Sequence, residues 1–396
     1  IIKSGTATGN VIVYANTIVT GIADQWGLSF SLDAGGDVNT IEFSSNTMNS
    51  SMENIRVNSV GAIGQVLLLE NQMIGGWTSG WGRALQISSQ SSMNSLTVYK
   101  NNIDTSGESI NVSTTGNITE LNIVQNTISS GSIDGQWGIN LRLTCGDEIG
   151  KVLISKNTMS SVGFNVELSA TSGGYGTIDI SDNSFTAGLD VWGRCLTIWG
   201  GAIGSFTLEN NTLTSSDFDM SVSVGNCDTL LLKNNRFSAG TGTNYGIAIE
   251  WRSGNIGSFT ILDNIASFND IGFQFWSGSI DSLIVDGNEF MQLPNTTFGK
   301  GIELSASGAI RQIKITDNKF RTNGSGIQLW GGDNETLTIT GNYSDTGSTE
   351  YYAKGLEFQL GNNGITDIHD NVFISNGMGI DFSFGDIGEL ILIRNQ

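Results

Sequence analysis

Ile178-Asp179-Ile180-Ser181-Asp182-Asn183-Ser184-Phe185 carries the pattern from which one coil of the chain is built. Ile178 and Ile180 fall on one face of an extended strand, and Asp179 and Ser181 on the other. Asn183 then turns the chain, and Phe185 returns to the apolar side. The same three apolar slots hold Leu121, Ile123 and Ile128; Leu230, Leu232 and Phe237; and Ile313, Ile315 and Phe320. The turn asparagine recurs along the chain as Asn16, Asn46, Asn71, Asn101, Asn126, Asn157, Asn183, Asn211, Asn235, Asn264, Asn288, Asn318, Asn342, Asn371 and Asn395. Successive gaps are 30, 25, 30, 25, 31, 26, 28, 24, 29, 24, 30, 24, 29 and 24 residues. Long and short gaps alternate, so the repeating unit is a pair of coils about 54 residues long. One supersecondary unit per fixed period is the sequence signature of a solenoid.

Second strands accompany the first in many coils: Phe30 and Leu32, Leu141 and Leu143, Ile327 and Leu329, Ile380 and Phe382. Two or three short strands per coil of 24 to 31 residues mean an all-β parallel β-helix. The strict six-residue rhythm of left-handed hexapeptide helices is missing. The right-handed form is therefore expected, as parallel connections generally are. About fourteen coils should stack at the strand spacing of ~4.8 Å, giving a single solenoid domain over 1–396. The asparagines should form a stacked ladder, since a side-chain amide both donates and accepts.

Composition agrees with this reading. The chain has 396 residues, 53 glycines and one proline, Pro294, as suits strands that need every N–H. Its 18 basic against 38 acidic residues, a net charge of −20, argue against nucleic acid and anionic membrane surfaces as partners. No apolar run approaches the ~20 residues that span a bilayer. Cys145, Cys195 and Cys227 fall at different points of their coils, and are expected to be buried free thiols. Eight Asn-x-Ser/Thr triplets, at Asn49, Asn111, Asn117, Asn210, Asn295, Asn323, Asn334 and Asn342, point weakly to an extracellular or cell-surface location. The sequence opens at Ile1 and stops mid-repeat at Gln396, with neither end reading as a cap. The expectation is a segment of a longer chain or a filament subunit, with self-association or neighbouring domains at its ends.

Gly326-Ile327-Gln328-Leu329 followed by Thr338-Ile339-Thr340-Gly341-Asn342 resembles the repeats of the right-handed parallel β-helix, pectate-lyase-like superfamily. The resemblance covers the whole chain and lies in the repeat. Lyases, hydrolases, phage tailspikes, adhesins and surface proteins share that repeat, so it implies the fold and not an activity. The Asn-Thr-Asp, Asp-Asp, Gly-His-Gly and Arg-Ile-Lys segments of the polygalacturonase-like branch are absent; Gln312-Ile313-Lys314-Ile315 is the nearest approach. Pro294 has no arginine beside it, unlike the Arg-Pro segment of pectate lyases. No catalytic residue carries over, and no cofactor is expected.

The residues themselves offer few sites. Asp317 and Asp370 precede ladder asparagines two coils apart, ~10 Å by strand spacing, at or beyond the limit for an inverting glycosidase pair. Asp182 and Asp263 occupy the same slot, which reads as a turn preference. His369, the only histidine, has no second ligand for a metal and reads as a surface residue. Arg83 and Arg194 follow a glycine in the slot of Leu28, Ile139, Ile247, Ile302 and Leu356, and must find carboxylate or carbonyl partners there.

One feature could bind a ligand. Long coils open their second strand with Trp26-Gly27, Trp81-Gly82, Trp137-Gly138, Trp192-Gly193 and Tyr245-Gly246, and later ones keep only the glycine, at Gly301 and Gly355. If packed, these rings fix the long-coil loops. If exposed, they form a track that steps ~9.6 Å and suits an extended polysaccharide. Trp77, Trp199, Trp251, Trp276 and Trp330 form no second column on this reading. The expected function is a non-enzymatic structural element of an adhesin, sheath or filament. Polysaccharide binding is the alternative, and a polysaccharide lyase or glycoside hydrolase is a more distant one.

Overall fold

The computed structural model describes residues 1–21, 27–76, 82–131, 138–188, 192–240, 246–294, 299–347 and 353–396. Among them all regular structure is β-strand, with no helix. The strands form parallel sheets of a β-solenoid with about 13 turns, against the fourteen or so expected. Two compact units divide the chain, Ile1–Ala202 and Ile203–Gln396.

One coil of the first unit shows the construction. The strand Thr127–Ser130 belongs to sheet C, Ile139–Cys145 to sheet A and Ile149–Ser155 to sheet B. Each pairs in parallel with its counterpart in the next coil: Thr127 with Thr158, Ile139 with Phe164, Ile149 with Tyr175. The second unit repeats the scheme, with Ile247–Arg252, Ile256–Leu262 and Arg236–Ala239 in sheets A, B and C. Alternate side chains of every sheet fill the interior. Leu141, Leu143, Val152 and Ile154 have no exposed surface, nor do Phe273, Phe275, Phe290 and Phe320 in the second unit.

The alternation of gap lengths has a single origin. In short coils two residues link sheet C to sheet A, as Ser106 and Gly107 do between Thr105 and Glu108. In long coils the link at this same corner is several residues longer. Six of the seven long links leave through a left-handed glycine, among them Gly76, Gly131 and Gly240 with φ of 80°, 74° and 79°, and the other leaves through Leu293. These links close on a second glycine pressed against the outgoing chain, except the last, which closes on Ala353. A Cβ on Gly138 would lie 2.5 Å from the Ser130 carbonyl oxygen. Gly27, Gly82, Gly193 and Gly246 meet the preceding chain in the same way.

The asparagine ladder stands at the bend from sheet B to sheet C. Within the first unit it is continuous from Asn16 to Asn183, and within the second from Asn211 to Asn395. Nδ2 and the backbone N–H of each asparagine donate to Oδ1 of the next, and Nδ2 also donates to a carbonyl of the preceding coil. For Asn126 these contacts are Asn157 Oδ1 and the Val98 carbonyl. The amide thereby satisfies backbone groups that the bend takes out of the sheet ladder.

The residue before every ladder asparagine is left-handed. Thirteen are not glycine, among them Ala15, Glu70, Lys100 and Lys156 with φ between 53° and 57°, and the other two are Gly287 and Gly341. Asp182 and Asp263 sit here, so their turn role holds.

A second internal polar ladder was not foreseen. It lines the corner between sheets C and A with the second residue of several sheet A strands, interrupted by Ala84 and Cys195. Nδ2 of Asn54, Asn140 and Asn165 donates to the carbonyls of Ile74, Ser160 and Thr186. In the second unit the position is Asp219, then Ala248, and then passes to Gly272, Gly301, Gly326 and Gly355, where phenylalanine rings fill the space. A Cβ on Gly272 would meet Phe290, and one on Gly355 would meet Phe373.

Candidate binding faces

This register corrects one equivalence drawn from the sequence. Gly301 and Gly355 lie two residues inside their strands, and do not match Gly27 or Gly82. The residues at the loop-closing position are Gly299 and Ala353. Likewise Ile302 and Leu356 are core residues of the third position, whereas Leu28, Ile139, Arg83 and Arg194 share the first. Arg83 therefore does not sit in a core column. Its neighbours in that column are Glu53 and Glu108, and it bonds to both, at 3.5 and 3.1 Å, and to Gln86. Arg142 extends the network to Glu108 and Glu167. Arg194 lies near the Phe164 ring. Arg83 and Arg142 thus tie neighbouring strands together on the outer face of sheet A.

Of the five aromatics preceding the loop-closing positions, Trp192 is described and is 57% exposed. Trp26, Trp81, Trp137 and Tyr245 lie outside the described residues, as does Trp77. The bases of their loops recur at the corner between sheets C and A, once in every two coils.

Asp317 and Asp370 both occupy left-handed bend positions. Asp370 takes two hydrogen bonds of 2.6 Å from Arg394 and one contact of 2.9 Å from His369 Nδ1. Those partners hold its carboxyl well below the usual range, which disqualifies it as a general acid near neutrality. His369 also faces the Thr340 hydroxyl at 3.0 Å and sits partly exposed on sheet B. All three cysteines are free and buried, and burial pushes the Cys227 thiol up to about 12.

A different aromatic set emerges on sheet A of the second unit. Trp276 and Trp330 share one outward column, joined through Ser305, so the sequence view that the remaining tryptophans make no column is corrected. Trp251 is one residue out of step and fully buried against Phe206. Trp199 is outward in the first unit and 43% exposed. The aligned spacing Trp276 to Trp330 equals the two-coil repeat, and that was the available sequence signal.

Each of the two rings has a cation beside it that is held by a carboxylate. Arg252 lies 4.5 Å from the Trp276 ring centroid and 2.8 Å from Glu250. Lys300 lies 5.8 Å from the Trp330 centroid and 3.0 Å from Glu303. A shallow groove of about 560 Å³ opens beside Arg252, Trp276, Ser277 and Ser307. In the first unit a groove of about 610 Å³ follows the end of sheet A past Asp33, Asn58, Ser88 and Ser113. No group of three or more metal-binding side chains occurs among the described residues.

No protein family, curated protein or solved structure matches the chain.

Proposed function

We propose that the chain is a non-enzymatic structural element of the extracellular space or cell surface, serving in an adhesin, sheath or filament. The observation that carries this reading is the asparagine ladder, unbroken from coil to coil in each unit. Nearly every inward position serves stacking, and the polar groups at the bends serve the backbone. The outer faces are Ser-, Thr- and Asn-rich, and the triplet asparagines Asn117 and Asn210 are exposed. Asn334 and Asn342 are buried, so those two triplets are not modification sites. The likeness to the pectate-lyase-like superfamily is proposed on the three-sheet coil and the ladder alone. An assay panel of acidic and neutral polysaccharides tests the reading. Turnover that disappears in Asp317→Asn or Asp370→Asn would overturn it.

The second reading is polysaccharide binding along the loop row, and the exposure of Trp192 supports it. A row of long links at one corner is a display device, because the coil fixes the step at which residues such as Trp192 recur. Pull-down on insoluble glycans, compared between the native chain and Trp192→Ala, tests this. Equal retention of the two overturns it.

A further inference from the structure

We propose that the outer face of sheet A in the second unit is a binding site for an uncharged, extended β-1,4-linked glycan lying along the solenoid axis. This site is separate from the loop row and stands independently of it.

Short coils carry Gly272-Phe273-Gln274-Phe275-Trp276 and Gly326-Ile327-Gln328-Leu329-Trp330. The long coils that precede them carry Glu250 with Arg252 and Lys300 with Glu303. Each ring therefore has a cation and a carboxylate near it, although the cations differ in place: Arg252 is the register neighbour of Trp276, whereas Lys300 reaches toward Trp330 from the first position of its strand. Register through Ser305 sets the α-carbons of the two tryptophans about 9.6 Å apart, twice the strand spacing. A β-1,4-linked chain is extended, and its disaccharide step of about 10 Å matches that translation.

Side-chain exposure divides the roles. Glu250 and Glu303 are mostly covered, at 16% and 11%, whereas Arg252 and Lys300 are 57% and 30% exposed. The carboxylates thus pin the cations from beneath. The cations offer N–H donors beside indoles that offer apolar surface to sugar C–H groups. Gln274 and Gln328 tie the covered layer together by donating to Glu303 and Glu357.

Charge selects the ligand. Each set contains one cation and one anion and is neutral, so it gains nothing from a polyanion. The net charge of −20 further disfavours uronate polymers.

The test uses the full chain and titration calorimetry with cellohexaose and chitohexaose, beside maltohexaose and an oligogalacturonate. The native chain should bind the β-1,4 hexaoses and neither of the others. The double variant Trp276→Ala plus Trp330→Ala should lose about tenfold or more in affinity. Trp192→Ala should bind as the native chain does. The pair Trp276→Phe and Trp330→Phe keeps ring packing, and should also bind more weakly if the alanine pair fails the check of fold by circular dichroism. Absence of hexaose binding by the native chain overturns the proposal, as does native-like affinity in the double variants. Loss of binding in Trp192→Ala alone assigns the glycan to the loop row and overturns the sheet site.

Discussion

The backbone amide and the side-chain amide of Asn126 both donate to a single atom, Oδ1 of Asn157, at 2.9 and 3.0 Å. Nδ2 of Asn126 also donates to the carbonyls of Val98 and Val124, while Asn126 Oδ1 accepts from both amides of Asn101. One side chain therefore serves three coils. This arrangement explains why the position admits asparagine alone along the chain. Serine or threonine lacks the second donor, and aspartate has no amide donor.

Asn126→Ala should cost about 3 kcal/mol or more, because it strands several buried backbone groups at once. Asn126→Asp keeps the acceptor, but puts a carboxylate against the Val98 and Val124 carbonyls, so it should be at least as damaging at neutral pH. Urea denaturation measures both. A loss under 1 kcal/mol in each would mean that the ladder is a by-product of stacking and not its support.

The bend before each asparagine makes a backbone prediction. Lys156 is exposed and left-handed, with φ of 57°. That conformation costs an L-residue roughly 1–2 kcal/mol and a glycine almost nothing, while glycine adds unfolded-state entropy of roughly 0.5–1 kcal/mol. Lys156→Gly should be neutral to about 1 kcal/mol stabilising. Lys156→Val should be destabilising by more than about 1 kcal/mol, since branching at Cβ makes the left-handed region worse. Thermal melts of the two variants should move in opposite directions or differ clearly. Equal melting would refute the strain argument.

Buried Asp219 yields a pH prediction. It holds the second position of its sheet A strand, where Asn54, Asn140 and Asn165 stand in theirs. It has no exposed surface, and neither carboxyl oxygen reaches hydrogen-bonding geometry. Burial pushes its carboxyl well above the usual range, and the nearby Ser215 hydroxyl and Ser238 backbone offset only part of this. The folded chain thus binds this proton more tightly than the unfolded chain. The stability it contributes is complete below the unfolded value, 3.8, and is lost as pH rises from there through the folded value. Asp219→Asn should remove that slope and raise the melting temperature, with a gain that grows as pH rises above about 4. A gain independent of pH, or a loss, would show that Asp219 is charged and paired in the fold.

The ladder and the coil period were legible because both recur at fixed intervals that no other fold requires. The register of sheet A was legible only in part. Gly301 and Gly355 were aligned with Gly27 and Gly82 although they lie two residues further on. A slip of two in a strand leaves the inside and outside pattern unchanged, so periodicity cannot detect it. Trp251 and Trp276 suffer the opposite problem. A single residue of offset sends one ring into the core and the other outward, and only the pairing of Arg252 with Trp276 reveals it. Asn54, Asn140 and Asn165 escaped notice because they sit one residue from the apolar slots and carry no fixed spacing across the second unit.

Trp192 is 57% exposed, so its ring contributes little to the core. Trp192→Ala should shift the melting temperature by no more than a degree or two, against the roughly 3–5 kcal/mol expected for a buried aromatic. A large fall in melting temperature would place the ring under its loop and remove the basis for a binding row.

The loop bases give the sharpest contrast between two similar substitutions. Gly138 closes its loop with its α-carbon against the outgoing strand, and an added Cβ would lie 2.5 Å from the Ser130 carbonyl oxygen. Backbone lies on the far side of that contact, so nothing small can swing away. Gly138→Ala must therefore spread the corner between sheets C and A, at a cost of about 1–3 kcal/mol. Gly9, within the strand Thr8–Tyr14, has nothing within 4 Å of a new Cβ. Gly9→Ala should be neutral or slightly stabilising, because alanine loses less backbone entropy on folding. Paired urea denaturation curves decide the matter. If Gly138→Ala is as benign as Gly9→Ala, the loops are not clamped at their bases, and the corner has room that this geometry denies it.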